Sequence, residues 1–339
     1  MADGKRLHQE SRSLLNMSSP LSNSSFFYYL NGGLMEIQKR MGSRPRAGYW
    51  QKQAQKDQAE LKRRLVYYMK FQGSFEPEQY WPTLAEIDLP GKLKTYYFDL
   101  LKSSRYFPKD LQLRVHFGDN TERFKQPTLV KTRPISEPNQ GNILLRFNAI
   151  RHFHFVEDRI PYEKKKNILF GRGHLSRQKP DRLAFYEKHF DHPLCDLGQI
   201  NKGTTHDQWY KPKVSIGYHL EHKFVLCLEG VDVASNLKWV MSSNSIALMP
   251  VPKRESWFME GELVAGKHFI AVADDFSDVE QQIEYYLQHP EEANQIIKNA
   301  KEYVKRFQNP AREKLLGLLV LDRYFHQSGQ KESLFPELL

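Results

Sequence analysis

From residue 167 onward, short apolar runs alternate with segments of helical period, and this alternation narrows the fold more than any other feature. Asn167-Ile-Leu-Phe-Gly171 reads as a buried strand, with a helix predicted near 180–190. Leu194-Cys-Asp-Leu197, Lys223-Phe-Val-Leu-Cys-Leu228, Ser245-Ile-Ala-Leu-Met249 and His268-Phe-Ile-Ala-Val272 read as further strands, and a helix starts near Ala234. Ser277-x-x-Glu280 has the form of a capping box. It would open a helix with Val279, Ile283, Tyr286 and Leu287 on one face. Pro290 suits the first position of the next helix, whose apolar face is Ala293, Ile296, Ile297, Ala300 and Val304. A last helix is predicted over 311–327. Apolar strands alternating with helices argue for an α/β fold with a parallel, doubly wound sheet. Ligands of such sheets bind beyond the carboxyl ends of the strands.

The 339 residues suffice for about two domains. Residues 1–33, rich in Ser, Asn and Gly, read as loop. Residues 50–72 read as one basic amphipathic helix, with Ala54, Leu61, Leu65, Tyr68 and Gln72 near one face and Lys62, Arg63, Arg64 and Lys70 around it. Leu111-Gln-Leu-Arg-Val-His-Phe117 alternates with the period of a strand and stops at Gly118-Asp119-Asn120. Asn142-Ile-Leu-Leu-Arg-Phe147 is a second, shorter run. These place a first α/β lobe at 60–160, behind a basic segment over 1–59, and a second lobe at 161–308.

Of the net charge of +10, the first 70 residues hold +8, with 13 Lys and Arg against 5 Asp and Glu. Basicity is therefore an N-terminal property, suited to nucleic acid, anionic lipid or an acidic substrate, or to a solvated helix face. The two cysteines, Cys195 and Cys227, sit in apolar runs and read as core thiols rather than a disulfide framework. The apolar run Leu315–Leu321 is far short of the ~20 residues that span a bilayer, and no apolar stretch follows the N-terminal Met-Ala-Asp-Gly-Lys-Arg. The expected place is the cytoplasm, at most against the inner face of its membrane.

Chemistry concentrates at the strand ends. Gly230 closes one strand, and Val233, Ala234, Ser235, Asn236 and Lys238 open the next helix. Free N–H groups there, with Lys238, suit a phosphate; an ordinary capped turn has the same spacing. Arg172, between Gly171 and Gly173, lies at another strand end and has the reach to grip a pyrophosphate. Arg177 and Arg182 follow, and exposed turn arginines remain the plainer account. Asp119 is placed as a general base, or simply as a turn residue. Asp274-Asp275-x-x-Asp278 fits a helix-dipole complement better than a metal site. His152-x-His154 lacks the further ligands a zinc set needs. No Walker A, GxSxG or HExxH pattern occurs.

The stretch 164–290 resembles the CAP10-type glycosyltransferases, the group that includes the Rumi-like protein O-glucosyltransferases, and is most similar to their bacterial lipopolysaccharide-biosynthesis branch. The residues that carry the resemblance are Lys164–Gly173, His222–Gly230, Ala234–Trp239, Ser256-Trp-Phe-Met-Glu260-Gly261 and Lys267–Ile270, in matching order and spacing. The resemblance implies a GT-B-like fold of two Rossmann-like lobes with a cleft between them. A terminal helix, 309–339 here, would cross back to the first lobe. It further implies a UDP-sugar donor, inversion and no required metal or other cofactor. The family's catalytic aspartate matches Asp119 in Arg114-Val-His-Phe-Gly-Asp119. Donor contacts match Arg172, Gly173 and the segment 233–238, with Glu260 in the matching loop. Many relatives carry arginine where Asn236 stands, which would shift diphosphate binding to Lys238, Arg177 or Arg182. The implied activity is transfer of a hexose to a hydroxyl of a lipopolysaccharide core or related glycan, with peripheral contact to an anionic membrane and no nucleic-acid partner. The alternatives are a basic nucleic-acid- or membrane-surface-binding protein without catalysis, and a catalytically inactive scaffold of the same fold.

Overall fold

The computed structural model describes residues 25–40, 48–89, 91 and 94–339. Its centre is a five-stranded sheet of β4 (Lys166–Gly173), β5 (Cys195–Gln199), β6 (His222–Leu226), β7 (Ile246–Met249) and β9 (Ile270–Ala271). The spatial order is β5-β4-β6-β7-β9 and every pairing is parallel. The chain starts in the middle at β4, steps outward to β5, then returns to the other side of β4 for β6. That reversal leaves a crevice beyond the carboxyl ends of β4 and β6. Alternate residues of the strands feed opposite layers. Phe224, Ile246 and Leu248 pack with Leu169, Leu197, Ile283 and Ile296 on one face. Val225, Cys227, Ala247 and Met249 join the core of the other face, which continues into the N-terminal helices.

The first half is built differently. Helices Gly48–Ala54, Gln58–Tyr68 and Lys94–Ser104 pack on the long C-terminal helix Pro310–Gln327, and Ser25–Arg40 packs on Lys94–Ser104. All seven residues from Leu315 to Leu321 are buried there. Gly317 lets Lys94–Ser104 come close: a methyl group on it would stand 2.6 Å from Ser103 Oγ. The C-terminal helix thus packs on the first half. Among the described residues the first half has a two-stranded parallel ladder, β1 (Thr128–Val130) with β3 (Asn142–Leu144). A doubly wound sheet is therefore seen, among the described residues, in the second half. The halves are joined by an antiparallel pair, β2 (Thr132–Pro134) with β8 (Arg254–Ser256). Within it Arg133 Nε donates to Glu255 Oε1 at 2.7 Å, both side chains out of solvent.

Several expectations fail for identifiable reasons. Residues 25–33 are helix, not loop: Tyr28 and Met35 are buried, and Gly32 lies against the Phe98 ring. The single helix over 50–72 is two, broken near Asp57, whose carboxylate pairs with Arg312 at 2.7 Å. Arg64 is not on a solvated face. It is fully buried, with Glu313 at 2.7 Å on the C-terminal helix, and Gln72 is exposed. Residues 111–117 touch β1 through a single bridge, Val115 with Leu129. No full strand forms because other groups take the backbone donors. Gln112 N donates to Gln330 Oε1 at 2.6 Å and Arg114 N to the Tyr324 hydroxyl at 3.0 Å. The capping box does not form either. Ser277 donates to Asp275 at 2.7 Å, and the helix Val279–Gln288 starts behind Asp278 without a side-chain cap. Pro290 does open Pro290–Lys305. Cys227 is buried, Cys195 only partly so, and both are free thiols. No described helix is long and apolar enough to cross a membrane.

Candidate active site

The crevice predicted by the strand order is a cleft of about 400 Å³. Its floor is the carboxyl ends of β4 and β6, with Gly171, Arg172, Gly173, Leu226 and Leu228. Its far wall comes from the first half, with Asp119, Lys131, Arg151 and His152. Asp119 is aimed by Gly118, whose φ of 131° belongs to glycine.

Lys131 lies between two carboxylates. Its ammonium donates to Asp119 Oδ1 and reaches Asp232 Oδ2 at 2.6 Å. The Thr132 hydroxyl donates to the same Asp232 oxygen at 3.1 Å. Burial pushes the Asp119 carboxyl up. The Lys131 ammonium, its hydrogen bond and Arg151 outweigh that, and the group stays below the usual carboxylate range. Asp232 is more deeply buried. Desolvation lifts it above that range despite Lys131, and the Asp119 charge adds to the lift. Of the two, Asp119 is the one held ionised and partly open to the cleft, with 42% of its side chain exposed. That is the state a proton acceptor needs.

The cleft is also strongly cationic. Arg151, Lys179, Arg182 and Lys213 all line the cleft, and none forms an ion pair with a described residue. Arg182 hydrogen-bonds backbone carbonyls instead: Nε to Glu229 O at 3.1 Å and Nη2 to Leu228 O at 3.0 Å. Burial lowers its proton affinity, and Arg151 lowers it further. Lys179 is lowered by burial, then by Arg182 and Arg151. Clustered cations that disfavour one another's charge are poised for an anion. Gly230 gives Arg182 its room: a methyl group there would lie 3.3 Å from Nη2. His152 also lines the cleft. Burial, then the Lys238, Lys131 and Arg151 charges, drive its pKa well below the usual imidazole value, and its buried Nδ1 has no partner among the described residues.

Of the residues the sequence singled out, Asp119, Arg172, Gly173, Arg182, Gly230, Val233, Ser235 and Asn236 line the cleft. It leaves out others. Arg177 is exposed and off the cleft, and Ala234 is buried behind it. Lys238 faces inward and pairs with Glu260 at 2.6 Å, both side chains at 1% exposure or less. Ser256 Oγ and N also donate to Glu260, so that loop is a structural brace. Arg172 is largely spent. Its guanidinium grips Asp196 through the carbonyl at 2.8 Å and Oδ1 at 2.9 Å. The helix after Asn236 is only Leu237–Met241, too short for a useful macrodipole. Asn236 itself donates to Leu226 O at 2.9 Å. What the cleft offers an anion is therefore side-chain cations rather than a helix end. Asp274 pairs with Lys253 at 3.1 Å, and no described group of His, Cys, Asp and Glu could hold a metal ion.

Sequence reasoning missed Lys131, Arg151, Lys179, Lys213 and Asp232, and weighed His152 only as a zinc ligand. Asp232 carried a signal, lying two residues after Gly230 at a strand end. Arg151 and His152 come from the short helix Ala149–His152, and the rest from separate segments that the fold assembles.

A parallel sheet with a cationic crevice at its switch point, holding an ionised carboxylate, has the layout of a group-transfer enzyme. The comparisons make the class definite. Residues 145–311 match the family model described as glycosyl transferase family 90. The chain is 38% identical over 267 residues to the O-glucosyltransferase LpsA of Dichelobacter nodosus, covering 79% of this chain and 83% of that one. A solved α1,3-fucosyltransferase with GDP-fucose matches at 14% identity and a TM-score of 0.38, covering 77% of this chain and 97% of that one; that likeness is too slight to build on. The protein is a glycosyltransferase. The chain belongs to glycosyl transferase family 90.

Proposed function

We propose that the enzyme moves a hexose from a UDP-sugar to a hydroxyl of a lipopolysaccharide core or related glycan, with inversion and without a required metal. The single observation that carries this reading is the cleft itself: one ionised carboxylate, Asp119, shares about 400 Å³ with Arg151, Lys179, Arg182 and Lys213. Asp119 takes the proton of the acceptor hydroxyl as its oxygen bonds to the anomeric carbon. The bond from that carbon to the diphosphate breaks, and UDP leaves with the electron pair. The four cations stabilise the charge that develops on the departing diphosphate, which is the work a divalent metal does in other transferases. Lys131 keeps Asp119 ionised, and Asp232 holds Lys131 in place. The two-lobed GT-B-like reading assigns the first half to the acceptor and the second to the donor. Glucose is the proposed sugar, in line with the name of the Dichelobacter relative.

The test is UDP release by the purified protein in EDTA, with UDP-glucose, UDP-galactose, UDP-xylose and UDP-GlcNAc, with and without a truncated lipopolysaccharide. The expected result is acceptor-dependent release that survives EDTA and falls by a factor of about 100–10,000 in Asp119→Asn. Wild type and variant that bind UDP alike while neither turns over would leave a scaffold. Failure to bind UDP would overturn the donor site.

A further inference from the structure

The helix Ser25–Arg40 is apolar on two opposite sides. One side docks on the molecule. Tyr28 and Met35 are buried, and the Tyr28 hydroxyl donates to Asp99 Oδ1 at 2.8 Å and Thr95 O at 2.9 Å. Lys39 Nζ ties the far end to Ile87 O at 2.8 Å. The other side carries Phe26, Phe27, Tyr29, Leu30, Leu34 and Ile37, each between 40% and 67% exposed. At about 100° per residue these six fall within one arc of roughly 160°, centred opposite Tyr28 and Met35. Between Phe26 and Ile37 that arc holds no charged residue.

Six large apolar side chains on one arc are unlike the scattered exposed hydrophobics of an ordinary surface. They present on the order of 500 Å² of contiguous apolar area, the scale at which a patch marks an interaction site. The anchoring of the opposite face means that refolding the helix cannot hide the patch without breaking the Tyr28 and Lys39 contacts. Charge decides what it meets. Residues 1–47 carry seven Lys and Arg against three Asp and Glu, and Arg40, Arg44 and Arg46 follow the apolar residues in the sequence. Exposed aromatics with adjoining basic residues are the composition of a helix that lies in a lipid interface.

We propose that Ser25–Arg40 is a lipid-docking helix, seating its outer arc in the headgroup region of an anionic bilayer while its inner face stays on the protein. The basic amphipathic segment at 50–72 spends its apolar face on the core, with Ala54, Leu61, Leu65 and Tyr68 buried, so the membrane surface falls to the preceding helix. The inference deepens the reading of a membrane-associated glycan acceptor but is measured without any turnover. Docking would bring the cleft to an acceptor held in the same surface and so reduce the search from three dimensions to two.

The experiment is co-sedimentation of the full chain with vesicles of mixed phosphatidylcholine and phosphatidylglycerol, and with phosphatidylcholine alone. The variant is Leu30→Ser/Leu34→Ser/Ile37→Ser, and light scattering and thermal melting accompany each sample. The proposal expects wild type to bind the anionic vesicles, to bind phosphatidylcholine weakly, and to weaken as salt rises. It expects the triple variant to bind at least ten-fold less at unchanged melting temperature. A single exposed change, Leu34→Glu, expected to weaken binding in the same direction, covers the case in which the triple variant fails to fold. Wild type that ignores both vesicles overturns the proposal, as does a variant that binds equally. A wild-type dimer dissolved by the same substitutions, without vesicle binding, would give the face to a second copy. Vesicle binding that appears only when residues 1–24 are deleted would give it to that segment. Either result overturns lipid docking, and neither touches the UDP-release test.

Discussion

Changing Glu313 to Ala isolates the one buried charge pair that joins the two ends of the chain. Arg64 and Glu313 have side-chain exposures of 0%. Arg64 Nη1 donates to Glu313 Oε1 at 2.7 Å and Nη2 to Oε2 at 3.0 Å. Trp257 Nε1 donates to the same carboxylate at 2.6 Å. Tyr68, stacked on Trp257 at 3.8 Å, donates to the Trp257 carbonyl at 3.0 Å. Removing the carboxylate leaves a guanidinium with no counterion in the core, and such a loss costs about 3–5 kcal/mol. At roughly 2 °C per kcal/mol for a chain of this size, the melting temperature should fall by about 6–10 °C. Thermal unfolding followed by circular dichroism reads it. The companion Arg64→Met/Glu313→Leu variant removes both charges, so most of the loss should return. A remainder of about 1–3 kcal/mol stays because Trp257 Nε1 has then lost its acceptor. UDP affinity, measured well below the transition, should stay within a factor of about two, since the cluster lies away from the cleft. A Glu313→Ala loss under about 1 kcal/mol would refute the argument, because it would mean water reaches Arg64.

Lys131→Met should cut turnover and move the acid limb of kcat/KM to higher pH. Lys131 holds Asp119 below the usual carboxylate range, so without it the base protonates at a higher pH than in wild type; an unmoved limb in a folded variant would place the base elsewhere. Arg182→Gln should weaken UDP binding, read by calorimetry, by a factor of about 10–100, the worth of one hydrogen bond to a charged group. Gly230→Ala should act in the same direction but more weakly, since its methyl group meets Arg182 Nη2 at 3.3 Å. Cys227 should resist thiol reagents in the folded protein. It is 1% exposed and burial pushes its thiol up, so rapid labelling before unfolding would contradict the packing described.

What the sequence made legible was what neighbouring residues decide. Leu169, Phe224, Val225, Ile246 and Leu248 announce a sheet buried on both faces because their runs are continuous and short, and the reversal between β5 and β6 then fixes where a ligand sits. Asp119 was offered first by its place after an alternating run and then by the resemblance, and the fold turns it into the cleft. Illegible were the residues whose meaning lies in a distant partner. Arg64 looks like a surface residue until Glu313, 249 positions later, is placed against it. Lys238 looks like a phosphate ligand until Glu260 takes its charge. Lys131 interrupts an apolar run for no local reason, and Asp232, about a hundred residues on, supplies one. Residues 111–117 have the right alternation for a strand, but the side chains of Tyr324 and Gln330 claim its backbone.

The strand pair that joins the halves also sets a timetable. β2 ends at Pro134 and its partner begins at Arg254, so the ladder waits for some 120 further residues to be made. The helix that fills the first half waits longer, since it starts at Pro310. A chain leaving the ribosome can complete the sheet of its second half while its first half still lacks its central helix. Synthesis and folding thus run in opposite orders: the first half made is the last to consolidate. Nascent chains stalled before residue 310 should hold a protease-resistant second half beside a first half that is still cut.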